Sequence, residues 1–533
     1  MQVLITGGDS RPARALAAAL TPQATVRLVD EVFVGEAPPG VEQRTGDLRD
    51  REFVNSALVG IDTVVHLAPI VPSNLSDLET LDRATRGSYV LVTAALEAGI
   101  GRFILGSTLD LFDRLPAAWQ VTEYWRPRPE PLIGHLAPWL AELSARECVR
   151  SSPLTALCLR FGRIVDEDEI AAQKYDPRWL HLEDAIGALR RAFAYFDLVA
   201  DRPRHSWRIF HIAAAGPLSK IRVSGAAARD LGYEPGHDFA AHPGAQAQPK
   251  PEAVRTAADL RLYLAPVQPI RSRPIRNVVI FGAGGPVAAA LAQELRSSYT
   301  LRLTDILPIA QIAAEDKRQS PGAPLPVPLD APHECRVVDV RDPDAVMAAC
   351  EGMDAIINCT VVRPDPVEAF RVNTLGAFNI MNAAVAHGIR RVVQTGPEQV
   401  HTSDPACYQW DYDVPGDAPP RPGSNLYLHT KFLGQEICRV YAEHHDLEVP
   451  TLLFGGFLNV NASRGNHPFS ISWPDSARAL RRALEVTSLP SPYEIMNIVS
   501  DIPYGRYSNQ RAKTLLNWEP RDLMPQIWTV DQS

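Results

Sequence analysis

The segment NVVIFGAGGPVAAALAQEL, residues 277–295, decides the fold. Its apolar run of β-branched and aromatic residues, ended by glycines, reads as a buried strand. The Ala- and Leu-rich remainder, with proline at its first position, reads as a helix. A strand that passes through a Gly-rich turn into a helix gathers backbone N–H groups and the positive helix end at one point, which suits a pyrophosphate. Gly282 and Gly285 stand where the backbone must approach closely, and Ala288 where the helix lies on the sheet. The same pattern occurs in QVLITGGDSRPARALAAAL, residues 2–20, where Gly7 and Gly8 persist but Ser10 and Ala13 replace the usual glycines.

Working outward, the two segments prove to head two copies of one pattern. VRLVD (26–30) matches LRLTD (301–305), GDLRD (46–50) matches VDVRD (338–342), and GIDTVVHLA (60–68) matches GMDAIINCT (352–360). AALEAGIGRFI (94–104) then matches AAVAHGIRRVV (383–393), and RDLGYEPGHD (229–238) matches TLLNWEPRDL (514–523). Short apolar runs alternate with helical segments, the mark of a parallel sheet covered on both faces. The expected fold is α/β: two tandem Rossmann-type doubly wound parallel sheets, each with a small C-terminal substrate-side region. The copies span residues 1–241 and 275–533. Residues 242–274, rich in proline and glycine and flanking a short helix at Glu252–Leu264, read as a linker. The largest insertion in the second copy is the Pro-rich stretch Gln319–Pro332.

A chain of 533 residues exceeds one hydrophobic core and fits two domains. A net charge of −9 lacks the basic footprint of a nucleic-acid binder. The seven cysteines are odd in number and form no CxxC pair, so neither a disulfide framework nor a zinc site is expected. The chain opens directly on a strand and holds no apolar run long enough for a membrane span, so no signal peptide, no membrane and a cytoplasmic location are expected.

Asp30 and Asp305 close the second strand of each copy, about 20 residues after the turn, where a carboxylate accepts the ribose hydroxyls of a dinucleotide. Such a carboxylate repels a 2′-phosphate, which favours NAD over NADP. Asp47 and Asp339 follow at the end of the third strand. In this order the elements resemble the extended short-chain dehydrogenase/reductase family, the NAD-dependent epimerase/dehydratases, over nearly all of both copies. The resemblance implies that Asp47 and Asp339 contact adenine. It adds Val340 and, in the fourth-strand segment NCTV, Asn358 to the cofactor groove. It also places Asn373 at the family's helix asparagine, where the first copy has Ala84.

Family enzymes use Ser/Thr, Tyr and Lys. A lysine one helical turn after a tyrosine stabilises the phenolate and brings an otherwise weak base towards useful proton transfer. In YLHTK the second copy supplies Tyr427 and Lys431, and Lys431 can also hold the nicotinamide ribose. Pro397, however, falls where the hydroxyl residue belongs, and proline offers neither hydroxyl nor N–H. Thr395 is the first substitute, with Gln399 and His401 next. The first copy keeps Thr108 at the hydroxyl position, but no Tyr or Lys occurs between Trp125 and Gln173; His135 is the one base there, against a structural role.

The expected function is an NAD-dependent oxidoreductase, epimerase or dehydratase acting through the second domain on a small sugar-like or related hydroxy substrate. The alternative is a non-catalytic dinucleotide-binding scaffold or sensor. Family members commonly pair through two helices per subunit. The two copies are therefore expected to form a pseudo-dimer within the chain, using residues 373–387 and 428–444 against 85–98 and 137–150.

Overall fold

The computed structural model describes residues 1–72, 74–115, 119, 121–150, 152–198, 207–215, 225–242, 245, 273–317, 322–401, 408, 411–458, 470–501 and 505–522. Two compact units divide the chain, Met1–Leu264 and Ala265–Ser533, and the division falls inside the stretch read as a linker. The helix expected at 252–264 lies outside the described residues.

The first unit is built on β1 (Gln2–Thr6), β2 (Thr25–Asp30), β3 (Val41–Thr45), β4 (Thr63–His66), β5 (Arg102–Thr108), β6 (Thr155–Phe161) and β7 (Trp207–Ile212). They form one sheet in the order β3-β2-β1-β4-β5-β6-β7, every pair parallel. In β1, Val3 and Ile5 join one buried cluster with Leu16 and Ala17, while Leu4 joins another with Val64 and Leu91. Alternate residues of a strand face opposite sides, so a run apolar at every position requires cover on both faces. Helix α1 (Arg11–Leu20) and helix α2 (Ile133–Arg150) belong to those two layers.

The second unit repeats the plan with β8 (Asn277–Phe281), β9 (Thr300–Asp305), β10 (Glu334–Val337), β11 (Ala355–Asn358), β12 (Arg391–Pro397), β13 (Val449–Phe454) and β14 (Tyr493–Ile498). Its order is β10-β9-β8-β11-β12-β13-β14, again wholly parallel. Helix α3 (Pro286–Leu295) follows β8, α4 (Leu426–His444) precedes β13, and α5 (Trp473–Glu485) packs its Leu480 and Leu484 into one core with Leu291 and Leu295 of α3. Both sheets reverse their winding between the first and fourth strands, and the crevice outside that point is where such folds bind ligands.

The first unit keeps a polar network at its centre. Arg160 on β6 reaches Glu142 on α2 at 2.5 Å and 3.0 Å, and Ser107 on β5 donates to the same carboxylate at 3.1 Å. All three are buried. Burial penalises the Glu142 carboxylate, but Arg160 outweighs that penalty and holds its pKa below the ordinary value. Replacing Arg160 by methionine should therefore leave a buried carboxylate unpaired and destabilise the first unit by about 3–5 kcal/mol. Denaturant unfolding followed on that unit's transition measures it; an unmoved midpoint would mean that the pair is dispensable.

Candidate active site

In the second unit the turn after β8 is open to a ligand. Gly282 has φ of +75°, and a Cβ there would lie 2.8 Å from the Thr360 amide nitrogen, so only glycine fits. Gly285 caps α3 without a side chain, and Pro286 takes the first helical position. The first-turn N–H groups are thus not covered by a capping side chain. Asp305 accepts hydrogen bonds from the Gly284 and Ile306 amides, both at 2.8 Å, which fixes its carboxylate beside the turn. Burial raises its pKa, and the two amide bonds oppose the rise.

Beside this turn lies a cavity of about 720 Å³ whose wall includes Gly284, Gly285, Arg363, Pro397, Tyr427 and Lys431. Leu307 and Ala323–Pro326 also line it, so part of the Pro-rich insertion closes over the groove. Stacked rings of Phe457 and Trp473, 4.6 Å apart, stand elsewhere on its wall.

Tyr427 and Lys431 reach the cavity through the local chemistry of α4. The Asn425 side chain accepts from the Leu428 amide at 3.2 Å and starts the helix just before Tyr427. Lys431 follows one turn later on the same face. Helix α4 is held down by Asn373, whose amide donates to Val362 O at 2.7 Å and to Thr430 Oγ1 at 3.0 Å. Asn373 belongs to a π-helical turn, Phe370–Leu375, and Gly434 leaves room for its carbonyl. Lys431 Nζ donates to Thr360 O at 2.6 Å. Burial lowers the Lys431 pKa to about 8, and the Arg363 charge pushes the same way. Burial raises that of Tyr427, while the Arg363 charge and a hydrogen bond from it pull it down.

The other expected residues fare differently. Asn358 is buried and donates to Gln394 Oε1 at 3.0 Å, while its oxygen accepts from the Thr360 amide and hydroxyl. It does not reach the cavity wall; it positions Thr360, the partner of Lys431. Asp339 is held by Arg341, which lowers its pKa, and Arg341 also pairs with Glu368. Val340 is buried under Gly376, with its carbonyl accepting from Asn379. Thr395 lines the cavity, but its hydroxyl donates to Asn358 O at 2.8 Å. That proton is spent on the main chain, so Thr395 does not supply the missing orienting donor. His401 is buried away from the cavity wall, with burial lowering its pKa to about 4. The side chain of Gln399 lies outside the described residues.

Two groups escaped the sequence reading. Arg363 lies over the Tyr427 ring, 5.1 Å from its centre, and its charge opposes the burial that raises the phenol pKa. Glu398 follows Pro397 directly; burial raises its pKa to about 8, and a Cβ on Gly455 would collide with its carboxyl group. A position without a donor at 397 was the signal that another donor had to be sought nearby.

The first unit has the same turn with side chains where the second has glycines. Asp9 N donates to Asp30 Oδ2 at 3.0 Å, as Gly284 N does to Asp305. Yet Asp9 adds a carboxylate, paired with Arg14, where Gly284 is bare. Ser10 caps α1 itself, accepting from Ala13 N, and Val71 packs against Gly7. Asp47 is taken up by Arg49, as Asp339 is by Arg341. Strand register equates Thr108 with Pro397 and Ser107 with Gly396, and Glu142 touches the former serine as Gln435 touches the latter glycine. Gly134 and Pro138 stand as far before Glu142 as Tyr427 and Lys431 stand before Gln435. His135 accepts from the Glu130 amide and is buried, which is a structural role.

Residues 278–457 match the NAD dependent epimerase/dehydratase family, and residues 11–178 match a family described as NAD(P)H-binding, starting only after the first Gly-rich turn. A uronate dehydrogenase of Pseudomonas syringae pv. tomato is 27% identical over 253 residues, which is 47% of this chain and 83% of that protein. An L-arabinose 1-dehydrogenase (NAD(P)(+)) of Haloferax volcanii is 28% identical over 269 residues, 46% of this chain and 96% of that protein. The structure of a mutant uronate dehydrogenase from Agrobacterium tumefaciens, complexed with NAD, is 23% identical with a TM-score of 0.39, covering 48% of this chain and 92% of that one. Over residues 278–457 the second unit is thus similar to the NAD dependent epimerase/dehydratase family.

Proposed function

We propose that the second unit is an NAD-dependent dehydrogenase that oxidises a hydroxyl of a sugar-like substrate. The observation that carries this reading is the presence of Tyr427, Lys431 and the uncapped Gly284–Gly285 turn on the wall of one cavity. The turn and the start of α3 suit a pyrophosphate, and Asp305 suits the adenosine ribose. Bound NAD would accept the hydride released from the substrate carbon. The remaining work falls to this chain. Tyr427 takes the proton of the substrate hydroxyl as its C–O bond becomes a carbonyl. Lys431, charged below a pKa of about 8, stabilises the phenolate. Relatives named for uronate and L-arabinose point to sugars as the substrate class. Dinucleotide binding without turnover, the outcome that the proline at 397 would favour, is the result the assay must exclude.

The first unit serves as a scaffold in this reading, and the two copies pair within the chain. Covalent linkage raises the effective concentration of one copy at the other. The expected species is a monomer by sedimentation equilibrium; a stable dimer pairing through residues 428–444 would overturn this. A cytoplasmic location fits the free cysteines, of which Cys148, Cys158, Cys350 and Cys438 are buried. Among the described residues no helix is long and apolar enough to cross a membrane.

Titration calorimetry should find one NADH per chain, because Asp9 and Ser10 put side chains where the second turn has Gly284 and Gly285, and Ser10 caps its own helix. Two equivalent sites would contradict that. Asp305→Ala should weaken this binding; unchanged affinity would remove Asp305 from the ribose site.

Tyr427→Phe should cut the rate of NADH formation by about 10²–10⁴-fold while leaving NADH affinity intact, since it deletes the general base alone. Full activity in that variant would place the chemistry on another residue.

A further inference from the structure

The family's hydroxyl residue is absent at Pro397, and the hydroxyl of Thr395 is turned to Asn358 O. Reaction at Tyr427 still requires a donor that fixes the phenol and steadies the oxygen from which the proton leaves. We propose that Arg363 is a catalytic residue that takes over this task, holding the Tyr427 oxygen and offering its remaining N–H groups to the reacting oxygen of the substrate. This assignment rests on the reading of Tyr427 as the general base.

Three observations support it. The guanidinium lies over the Tyr427 ring, 5.1 Å from its centre, and its charge lowers the phenol pKa. It lines the same cavity as Tyr427, Lys431 and Pro397. Among the described residues no carboxylate is paired with it, in contrast to Arg341 and Arg391, which are each held by a glutamate. A guanidinium has five donors in a rigid fork, so one can serve Tyr427 while others serve the substrate.

The two cations at the phenol are not equivalent. Lys431 donates to Thr360 O on the wall of the same cavity, and burial brings its pKa to about 8. Glu398, the other ionisable group acting on Tyr427, is neutral below about the same pH and opposes the phenolate when it ionises. A guanidinium, by contrast, is not deprotonated in proteins. It is therefore the cation that persists where the base must be ionised.

The test uses the full chain with NAD and with D-glucuronate and L-arabinose as probes. Arg363→Gln should lower kcat/KM by about 10²-fold or more, the loss typical of removing one aligned donor at a reacting oxygen. Removing the positive charge raises the phenol pKa, so the rising limb of the pH profile should move to higher pH. Arg363→Lys should restore part of the rate and most of the limb. An Arg363→Gln enzyme with wild-type rate and pH profile would overturn the assignment.

A second measurement does not depend on turnover. The ultraviolet phenolate signal of Tyr427, taken as the difference between each enzyme and its Tyr427→Phe counterpart, should titrate at higher pH in Arg363→Gln than in wild type. Identical titrations would overturn the assignment. A shifted titration in a protein that forms no NADH from either sugar would uphold the Arg363–Tyr427 contact and refute its catalytic use, and with it the proposal.

Discussion

The second unit depends on how closely Gly282 approaches the main chain of Cys359 and Thr360. A side chain at residue 282 would meet that main chain inside van der Waals distance, so the turn and the end of β11 can lie together only through a glycine. The same short segment receives Lys431 from the other side, through Thr360 O. The Gly-rich turn and the helix that carries Tyr427 and Lys431 are therefore referenced to one piece of backbone. Asn358 makes that piece rigid, since its oxygen binds both the amide and the hydroxyl of Thr360. A shift of the β11 end would misplace the pyrophosphate turn and the ammonium together.

The first unit shows what the same backbone becomes when the chemistry is withdrawn. His66, at the place of Asn358, is buried between Thr6 at 2.7 Å and Ser88 at 2.9 Å, and burial lowers its pKa to about 3. Ser107, Glu142 and Arg160 satisfy one another. An open site needs donors and acceptors left for a ligand, and those cost stability when nothing binds. In this unit those groups have partners in the protein, and Val71 lies near the turn glycine.

The one-character strings of apolar residues made the two sheets, their order and the turns legible, because strand burial and glycine geometry are written in residue type. Thus the Tyr427–Lys431 spacing could be read directly. Side-chain partnership could not. Nothing in the letters says that Arg341 will capture Asp339, that Thr395 will turn its proton to Asn358 O, or that Asn358 will face inward. Each of those choices is made by a residue distant in sequence or by a competing short contact. Arg363 in VVRPDP reads as a surface charge; only the return of α4 brings Tyr427 beneath it. Glu398 reads as an exposed loop acid, whereas Gly455 of the next strand's exit lets it sink.

These buried groups together set the charge of the cavity. At neutral pH Glu398 and Cys359 are uncharged, because burial raises the first to about 8 and the second to about 12. Lys431 is then buried on the cavity wall with its ammonium on Thr360 O, while Arg363 stands exposed at the wall. A buried ammonium favours any anion that can replace its lost hydration. In the proposed reaction the pyrophosphate of a dinucleotide would supply negative charge at one end, beside the turn. The phenolate of Tyr427 would supply it at the other, at the moment when the base is needed. An acid at position 363 or a fixed charge on Glu398 would remove that bias, and the tyrosine would keep its proton. In the proposed reaction the Arg363 charge is thus what favours the phenolate of the half-buried Tyr427.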